Sequence, residues 1–329
     1  MPSSPPAVLV LCRNAPATLA DRFRLLDLHA SSLPIDAFLA AAAASAEPPR
    51  AAVVPGGGSV RVDAGLLDAV PSLRCVVIVS AGLDPIDLPE CARRGVAVAN
   101  AAGIYSADVA DHAVGLLLDV LRGISAGDRF IRRGLWPDQP GGGSSLLPLG
   151  SRLRGKRVGI VGLGRIGSAT ARRLWAFGCV VSYTSRAGPK PSFPCYGFFP
   201  TARDLAAHSD ALVVACALTA ETRRVVDRAV LDALGEGGVV VNVARGANVD
   251  EDELVSALAE GRIAGAGLDV FEDEPRVPEE LVAMENVVLT PHKAVFTPES
   301  MADLDRLVVA NLEAFFAGAP LLTPVHVFH

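Results

Sequence analysis

Residues 157–167, with the sequence RVGIVGLGRIG, decide the fold of this chain. The first five residues form a short apolar run typical of a buried strand, and the glycines that follow open a helical pattern over 165–177. In this context the first glycine permits a tight turn, the second lets the backbone approach a pyrophosphate, and the third allows close packing of helix and strand. The N-terminus of the helix adds N–H groups that bind an anion. The stretch therefore predicts a dinucleotide site that includes Gly162, Gly164, Arg165, Ile166 and Gly167.

Strands and helices keep alternating beyond this stretch, which is the pattern of a doubly wound parallel sheet. The apolar runs predict strands over 179–183, 211–215, 239–243, 265–270 and 287–289, with a further helix over 250–260. Ahead of the glycines, apolar residues at helical spacing predict a helix over 104–122, and the Gly-, Pro- and Ser-rich residues 132–150 predict a loop or extended arm. These elements predict one nucleotide-binding Rossmann domain over residues 104–293.

The two ends of the chain predict a second domain. Short apolar runs at 7–12, 51–55, 75–80 and 96–100 alternate with helical patterns at 35–46 and 86–94, as in a parallel sheet covered by helices. A final helical pattern over 298–317 is too short for a domain of its own. We therefore predict an α/β fold in which the Rossmann doubly wound parallel sheet is inserted in a flavodoxin-like substrate-binding (catalytic) domain made of residues 1–103 and 294–329.

The composition limits the partners of the chain. Its 329 residues, 50% hydrophobic and 20% charged, exceed the usual size of one core. The formal net charge of −6 comes with interspersed signs and no basic stripe, so no nucleic-acid partner is expected. The apolar runs are too short to span a bilayer, so no membrane partner is expected either. The 6 cysteines are scattered without metal-ligand spacing, which predicts reduced thiols and no metal site.

The end of the second strand of the Rossmann domain bears on the cofactor. An NAD enzyme carries an acidic residue there, roughly 20 residues beyond the first glycine, which binds the ribose 2′-hydroxyl. Here the stretch reads Tyr183-Thr184-Ser185-Arg186, without a carboxylate. Because Ser185 and Arg186 are able to donate to a 2′-phosphate, the sequence favours NADPH over NADH. Two alternatives stay open: Arg186 is a surface arginine without a phosphate partner, and Lys190 is a solvated loop lysine rather than an added charge.

Three side chains follow predicted strands of the same domain: Arg245, Glu274 and His292. Open α/β sheets bind ligands at the carboxyl ends of their strands. The planar fork of Arg245 suits a carboxylate, and a carboxylate such as Glu274 raises the proton affinity of an imidazole and fixes its tautomer. The pair predicts a general acid at His292, so these residues are the groups that reduction of a 2-oxo acid requires. The other histidines, His112 among them, are interpreted as structural or surface residues.

Several ordered motifs resemble those of the D-isomer-specific 2-hydroxyacid dehydrogenase family, over most of the chain from about Cys75 to Val325. They are residues 80–84 (SAGLD), 105–112 (YSADVADH) and 162–167 (GLGRIG), with Arg245, Asp269, Glu274 and His292 at the functional positions. The resemblance implies that backbone N–H groups of Ala81, Gly82 and Leu83 help Arg245 to hold the substrate carboxylate. It also implies that Asp269 contacts the nicotinamide end of the cofactor, and that Ala244, Arg245 and His292 border the cofactor site.

Three further stretches narrow the resemblance to the plant-type glyoxylate, hydroxypyruvate and hydroxyphenylpyruvate reductases: residues 183–186 (YTSR), 214–219 (VACALT) and 320–325 (PLLTPV). This resemblance implies a homodimer that acts on a small 2-oxo acid. The chain closes on Val327-Phe328-His329, which is no peroxisomal tripeptide, so the cytosol is expected. Trp136 is the candidate for a residue of the dimerisation arm that reaches the partner's substrate pocket, with packing between the arms as the alternative.

Two other functions stay open at this point. An NAD-dependent dehydrogenase of the same family, of phosphoglycerate or formate type, is disfavoured by the missing acidic residue after the second strand and by the short C-terminus. A non-catalytic, dinucleotide-sensing scaffold like the corepressors that share this fold is the third interpretation, because fold alone does not define function. Lys293 and Asn248 depart from the common pattern of the family, and a lysine beside His292 leaves the choice of substrate open.

Overall fold

The chain divides by its internal contacts into two compact units. The computed structural model describes residues 5–13, 15, 17–57, 60–136 and 148–325. One unit combines the residues up to Tyr105 with those from Thr297 onward, and the other runs from Ser106 to Phe296. The predicted domain boundaries, after residues 103 and 293, stay a prediction. The predicted arm over 132–150 lies partly outside the described residues, and the C-terminal residues 326–329 lie wholly outside them. No helix in the described part of the chain has the length and apolar character needed to cross a membrane.

The first unit contains, within the described residues, a five-stranded parallel sheet. Its strands are β1 (Ala7–Val10), β2 (Arg24–Asp27), β3 (Ala51–Val54), β4 (Cys75–Ile78) and β5 (Ala97–Ala99). A 3₁₀ helix (Ala17–Asp21) and the helices α1 (Ile35–Ala43), α2 (Ala64–Ala69) and α3 (Leu88–Arg93) connect them. The strand order is β2-β1-β3-β4-β5, which is the order of flavodoxin-like sheets.

The central strands of this sheet are apolar throughout, as strands of parallel sheets are when helices cover both faces. Every residue of β1, β3 and β4 is buried. The helices α2 and α3 begin where Asp63 and Asp87 accept main-chain N–H groups, at 3.2 and 3.0 Å. The sequence does not predict β2, because this strand (RLLD) is half-buried and shows neither an apolar run nor an alternation.

The second unit contains a seven-stranded parallel sheet, again counted within the described residues. Its strands are β6 (Arg157–Val161), β7 (Val180–Thr184), β8 (Gly197–Phe198), β9 (Ala211–Val214), β10 (Val239–Asn242), β11 (Gly265–Leu268) and β12 (Val287–Leu289). Its helices are α4 (Ser106–Arg122), α5 (Ile124–Arg132), α6 (Arg165–Ala176), α7 (Ala202–Ala207), α8 (Arg228–Leu234), α9 (Glu251–Ala259) and α10 (Glu279–Ala283), after which the chain returns to the first unit in α11 (Pro298–Phe316).

The order of the second sheet is β12-β11-β10-β9-β6-β7-β8, so the winding reverses between β6 and β9. Sheets of this kind bind ligands outside the carboxyl ends of the strands at the reversal point. With the flavodoxin-like order of the first sheet, this confirms the predicted fold class. The short helices α7, α8 and α10, of 6, 7 and 5 residues, have no counterpart in the sequence prediction because helical periodicity hardly develops over one or two turns.

Two glycines of β11 let α4 pack close against the second sheet. A Cβ atom on Gly267 would lie 3.0 Å from Leu116 Cβ, and one on Gly265 would lie 2.8 Å from Val120 Cγ1. A Cβ atom on Gly265 would also lie 2.6 Å from the carbonyl oxygen of Asn286, so a larger side chain at either position would force a neighbouring segment to shift. The amino-terminal half of α4 is thereby held beside the carboxyl end of β11.

Candidate active site

The glycine turn, residues 162–167, follows β6 and opens α6 as predicted. Gly162 has a φ of +97°, and a Cβ atom there would lie 2.7 Å from Cys216 Cα. A Cβ atom on Gly167 would lie 2.1 Å from the carbonyl oxygen of Gly162, whereas one on Gly164 would meet nothing within 4 Å. The first and third glycines are therefore required by packing, and the second leaves open space in front of the helix.

This open space fits the pyrophosphate of a dinucleotide. Gly164 is the N-cap residue of α6 and brings no side-chain cap, so Arg165 and Ile166 begin the helix with their N–H groups at its positive end. A helix of 12 residues with such an end is suited to an anion. The predicted cofactor site at this turn thus presents main-chain atoms rather than side chains, and binding of the cofactor there stays a prediction.

The loop after β7 brings a lysine to the glycine turn. Lys190 Nζ donates to the carbonyl oxygen of Leu163 at 2.6 Å, and the main-chain N–H of Lys190 donates to the hydroxyl of Tyr183 at 2.6 Å. Ser185 Oγ donates to the carbonyl oxygen of Gly188 at 2.8 Å. The alternative of a solvated Lys190 is therefore wrong, since its side chain bridges the loop and the turn.

Arg186 has an acidic neighbour that sequence reasoning missed. Its Nη1 atom lies 3.5 Å from Glu221 Oε2, and both side chains are largely exposed. A hydrogen bond from Thr219, together with the nearby charge of Arg186, holds the pKa of Glu221 below its usual value. Glu221 follows β9 rather than β7, so a search for a carboxylate at the end of the second strand does not find it.

Glu274 and His292 form the hydrogen-bonded pair that the sequence suggests. His292 Nδ1 lies 2.8 Å from Glu274 Oε2, and the N–H of Phe271 donates to Glu274 Oε1 at 3.1 Å. Burial raises the pKa of Glu274, but the bonds from His292 and Phe271 and the charge of Arg245 outweigh it and hold that pKa below its usual value. An ionised carboxylate therefore faces the imidazole at neutral pH.

Arg245 lies in a turn after β10 that packs directly on the loop of Glu274. A Cβ atom on Gly246 would lie only 1.8 Å from the carbonyl carbon of Phe271, so glycine is required for this approach. The side chain of Asn248 accepts the N–H of Arg245 at 3.1 Å and donates to the carbonyl oxygen of Thr222 at 3.0 Å. The departure from the family pattern at Asn248 thus lies in a buried residue that shapes the turn.

The carboxylate of Asp269 holds the turn that carries His292. Asp269 is buried, and its Oδ1 atom accepts the N–H of Lys293 at 2.8 Å while Oδ2 accepts the N–H of Ala294 at 3.0 Å. The hydroxyl of Thr290 donates to Oδ1 as well, at 2.6 Å. The side chain of Lys293 itself is exposed. The predicted contact of Asp269 with a nicotinamide stays a prediction.

The other predicted substrate-binding residues, in the loop 81–83 and at Trp136, lie far in sequence from Arg245, Glu274 and His292. In the first unit, Ser80 Oγ donates to the carbonyl oxygen of Gly82 at 2.7 Å and Asn100 Nδ2 to that of Ala81 at 2.9 Å. These bonds fix the loop that includes Leu83, but its role in binding a carboxylate stays a prediction. Trp136, at the end of a described segment, is 54% exposed, and its predicted reach into a partner's pocket also stays a prediction.

The strand order, the glycine turn near the reversal point and the cluster of Arg245, Glu274 and His292 at neighbouring strand ends define a dinucleotide-dependent oxidoreductase. Residues 114–294 match the family model described as "D-isomer specific 2-hydroxyacid dehydrogenase, NAD binding domain". The chain belongs to the D-isomer specific 2-hydroxyacid dehydrogenase family. The predictions of this family and of an enzyme of the oxidoreductase class are confirmed.

Two plant proteins and one solved bacterial structure are among the similar proteins. A glyoxylate/hydroxypyruvate reductase of Arabidopsis thaliana is 51% identical over 268 residues, which are 82% of this chain and 81% of the relative. The hydroxyphenylpyruvate reductase of Plectranthus scutellarioides is 51% identical over 272 residues, 83% of this chain and 84% of the relative. The NADPH-dependent glyoxylate/hydroxypyruvate reductase of Sinorhizobium meliloti, solved with NADP and malonate, has a TM-score of 0.85 at 37% identity and covers 98% of this chain and 97% of its own.

Proposed function

We propose that this protein reduces small 2-oxo acids to D-2-hydroxy acids, with NADPH preferred over NADH. Hydroxypyruvate, glyoxylate and 4-hydroxyphenylpyruvate are the proposed substrates, because similar proteins are named glyoxylate/hydroxypyruvate reductase and hydroxyphenylpyruvate reductase. The observation that carries the proposal is the 2.8 Å hydrogen bond between Glu274 and His292, beside Arg245 at the carboxyl ends of strands of the same sheet.

Each proposed catalytic residue has one task. The reduced nicotinamide, when bound, supplies the hydride that reaches the carbonyl carbon. Arg245 holds the substrate carboxylate through its fork, with the N–H groups of Ala81, Gly82 and Leu83 as the partners that the resemblance assigns. His292 donates the proton to the carbonyl oxygen, so the C=O bond becomes CH–OH, and the Glu274 carboxylate orients the imidazolium and stabilises its charge.

The proposed preference for NADPH rests on charge around the glycine turn. Ser185 and Arg186 follow β7 where an NAD enzyme would carry an acidic residue, and Lys190 Nζ lies 2.6 Å from the carbonyl oxygen of Leu163 in the turn. Two cationic side chains at this place favour a 2′-phosphate. Glu221 acts in the opposite direction, because Arg186 must leave it to bind the phosphate.

We further propose a homodimer that works in the cytosol. The helix α5 has no buried residue, and Ile124 and Ile131 on it are 59% and 55% exposed, close in sequence to the exposed Trp136. Apolar side chains of this kind favour an interface with a second copy. Free thiols at all 6 cysteines agree with a reducing compartment. Sedimentation equilibrium and imaging of a tagged chain test these two points.

The experiment that tests the activity is steady-state oxidation of NADPH and of NADH with glyoxylate, hydroxypyruvate and 4-hydroxyphenylpyruvate in parallel. We expect turnover with at least one acid and a higher kcat/KM with NADPH. Binding of the cofactor without turnover on any acid would instead support a sensing scaffold. Turnover only with NAD⁺ and either phosphoglycerate or formate would support the other dehydrogenases of the family.

A further inference from the structure

A chain of three side chains connects α4 to the turn that carries His292. His112 Nε2 lies 2.9 Å from Thr290 Oγ1, and Thr290 Oγ1 donates to Asp269 Oδ1 at 2.6 Å. The side chain of Asp269 is 2% exposed and that of His112 is 22% exposed. His112, interpreted from the sequence as a structural or surface residue, is thus hydrogen-bonded to the turn of His292.

The single hydroxyl hydrogen of Thr290 fixes the direction of the hydrogen bonds that link His112, Thr290 and Asp269. Thr290 carries one hydroxyl hydrogen, and Asp269 accepts it. Thr290 Oγ1 must therefore accept the bond from His112, which requires a proton on Nε2 of the imidazole. At the other end, burial raises the pKa of Asp269, but bonds from His112, Thr290 and two main-chain N–H groups outweigh it and hold that pKa below its usual value.

The register of α4 on β11 places His112 opposite Asp269. Val120 packs on Gly265 and Leu116 packs on Gly267, so four residues along the helix match two along the strand in the opposite direction. Four helical residues rise about 6 Å and two strand residues about 6.6 Å, so the register holds for one more step. That step pairs His112 with Asp269, and the two strand glycines make it possible.

Asp269 in turn controls the backbone at His292. Three consecutive N–H groups bind it: His292 donates to its carbonyl oxygen at 2.8 Å, and Lys293 and Ala294 donate to its carboxylate. His292, the first of these three residues, has a φ of +48°, a conformation that residues other than glycine adopt rarely. The main chain of Asp269 therefore holds His292, and its carboxylate holds the two residues that follow His292 in the turn.

We propose that His112 is a positioning residue for the general acid His292, acting through Thr290 and Asp269. The proposal rests on the proposed function, since it gives His292 the proton-donating role. His112 orients Oδ1 of Asp269 through the hydroxyl of Thr290 and through its own Nε2, which lies 3.5 Å from Oδ1. Asp269 fixes the turn and with it the Nδ1–H bond to Glu274. His112 does not contact the substrate.

Two pairs of variants at these positions test the proposal. His112→Leu and Thr290→Val remove the donors, whereas His112→Gln keeps an N–H near Nε2 and Thr290→Ser keeps the hydroxyl. We expect His112→Leu and Thr290→Val to lower kcat roughly 10- to 100-fold, as a small misplacement of a catalytic group does, while the Kd for NADPH stays within about 2-fold. The alkaline limb of the pH profile of kcat/KM moves to lower pH, and His112→Gln and Thr290→Ser recover most of the rate. His29→Leu, an exposed histidine of the first unit, is the matched control without effect.

A double variant distinguishes the proposed positioning of His292 by His112 from a merely structural role of His112. In a His292→Gln background, adding His112→Leu should change kcat little, because the residue through which it acts is gone. Equal losses in both backgrounds, or a fall in Tm with no rescue by His112→Gln, would overturn the proposal.

A proton NMR readout keeps the test independent of turnover. The low-field resonance of His292 Nδ1–H should be present in the unaltered protein and in His112→Gln, and lost or broadened in His112→Leu. If no 2-oxo acid is reduced but this pattern is found, the proposed function fails while the positioning stands. If His112→Leu leaves the resonance unchanged, the positioning fails.

Discussion

The glycine turn after β6 and the acid turn after β12, residues 290–294, lie at the same edge of one sheet but are specified differently. In the glycine turn, steric contact decides, because a Cβ atom at Gly167 would lie 2.1 Å from the carbonyl oxygen of Gly162. In the acid turn, His292 adopts a φ of +48° without being glycine and is held by hydrogen bonds to Asp269.

The difference separates two ways of building a site. The glycine turn is mostly local, because the contact of Gly167 with Gly162 lies within its six residues, although Gly162 also packs against Cys216. The acid turn depends on Asp269, which comes 21 residues before Thr290, and on His112, which comes 178 residues before it. Changes in the first region should act on shape and cofactor binding, and changes in the second should act on catalysis through hydrogen bonds.

The largest expected effect concerns the acid turn. His292→Gln should lower kcat/KM for 2-oxo acid reduction roughly 10²- to 10⁴-fold, because a positioned general acid contributes that much. The Kd for NADPH, measured by fluorescence titration, should stay within about 2-fold. Activity close to that of the unaltered protein would exclude His292 as the proton donor.

A pair of glycine variants tests the steric character of the other turn. Gly167→Ala forces a methyl group against Gly162, and such overpacking should lower Tm and weaken NADPH roughly 10- to 100-fold. Gly164→Ala, at a φ of −82° with nothing within 4 Å, should leave Tm of the cofactor-free protein unchanged and weaken only NADPH. If Gly164→Ala left the affinity for NADPH unchanged, the open space in front of α6 would not be the pyrophosphate site.

The same contrast explains how much was predictable from the sequence. The fold class followed from apolar runs and one glycine pattern, because sterics and burial act over short stretches of chain. The pairing of Glu274 and His292 was also suggested, since both follow strands of one parallel sheet. The edge strand β2 was missed because a half-buried strand lacks a clear pattern.

The supporting residues of the site were not predictable in the same way. Glu221 beside Arg186, Lys190 on the glycine turn and His112 on Thr290 are all contacts between elements distant in sequence. No spacing rule brings them together, because side-chain packing decides which loop reaches which turn. The one signal that was available is the repeat of His112, Leu116 and Val120 along one face of α4, opposite the glycines of β11.

A smaller effect is expected at the loop beside the glycine turn. Arg186→Ala should raise the Kd for NADPH roughly 10-fold, because a hydrogen bond to a charged group is lost, and leave NADH almost unchanged. Glu221→Gln, which removes the competing carboxylate at 3.5 Å, should tighten NADPH by only about 2- to 5-fold, as expected for an exposed ion pair. Equal changes for both cofactors in Arg186→Ala would contradict the phosphate contact.

The smallest effect is one of pH on stability at the acid turn. The pKa of Asp269 is held below its usual value of 3.8, so its ionised form contributes stability above that value and loses it as the pH falls through the lowered pKa. Asp269→Asn should therefore lower the free energy of unfolding by about 1 to 2 kcal/mol near neutral pH, with the difference shrinking below about pH 4. Urea unfolding from pH 3 to 7 measures this, with Asp273→Asn, an exposed residue paired with Arg276, as the matched control. A difference that did not change with pH would mean that packing, rather than the carboxylate charge, holds the acid turn.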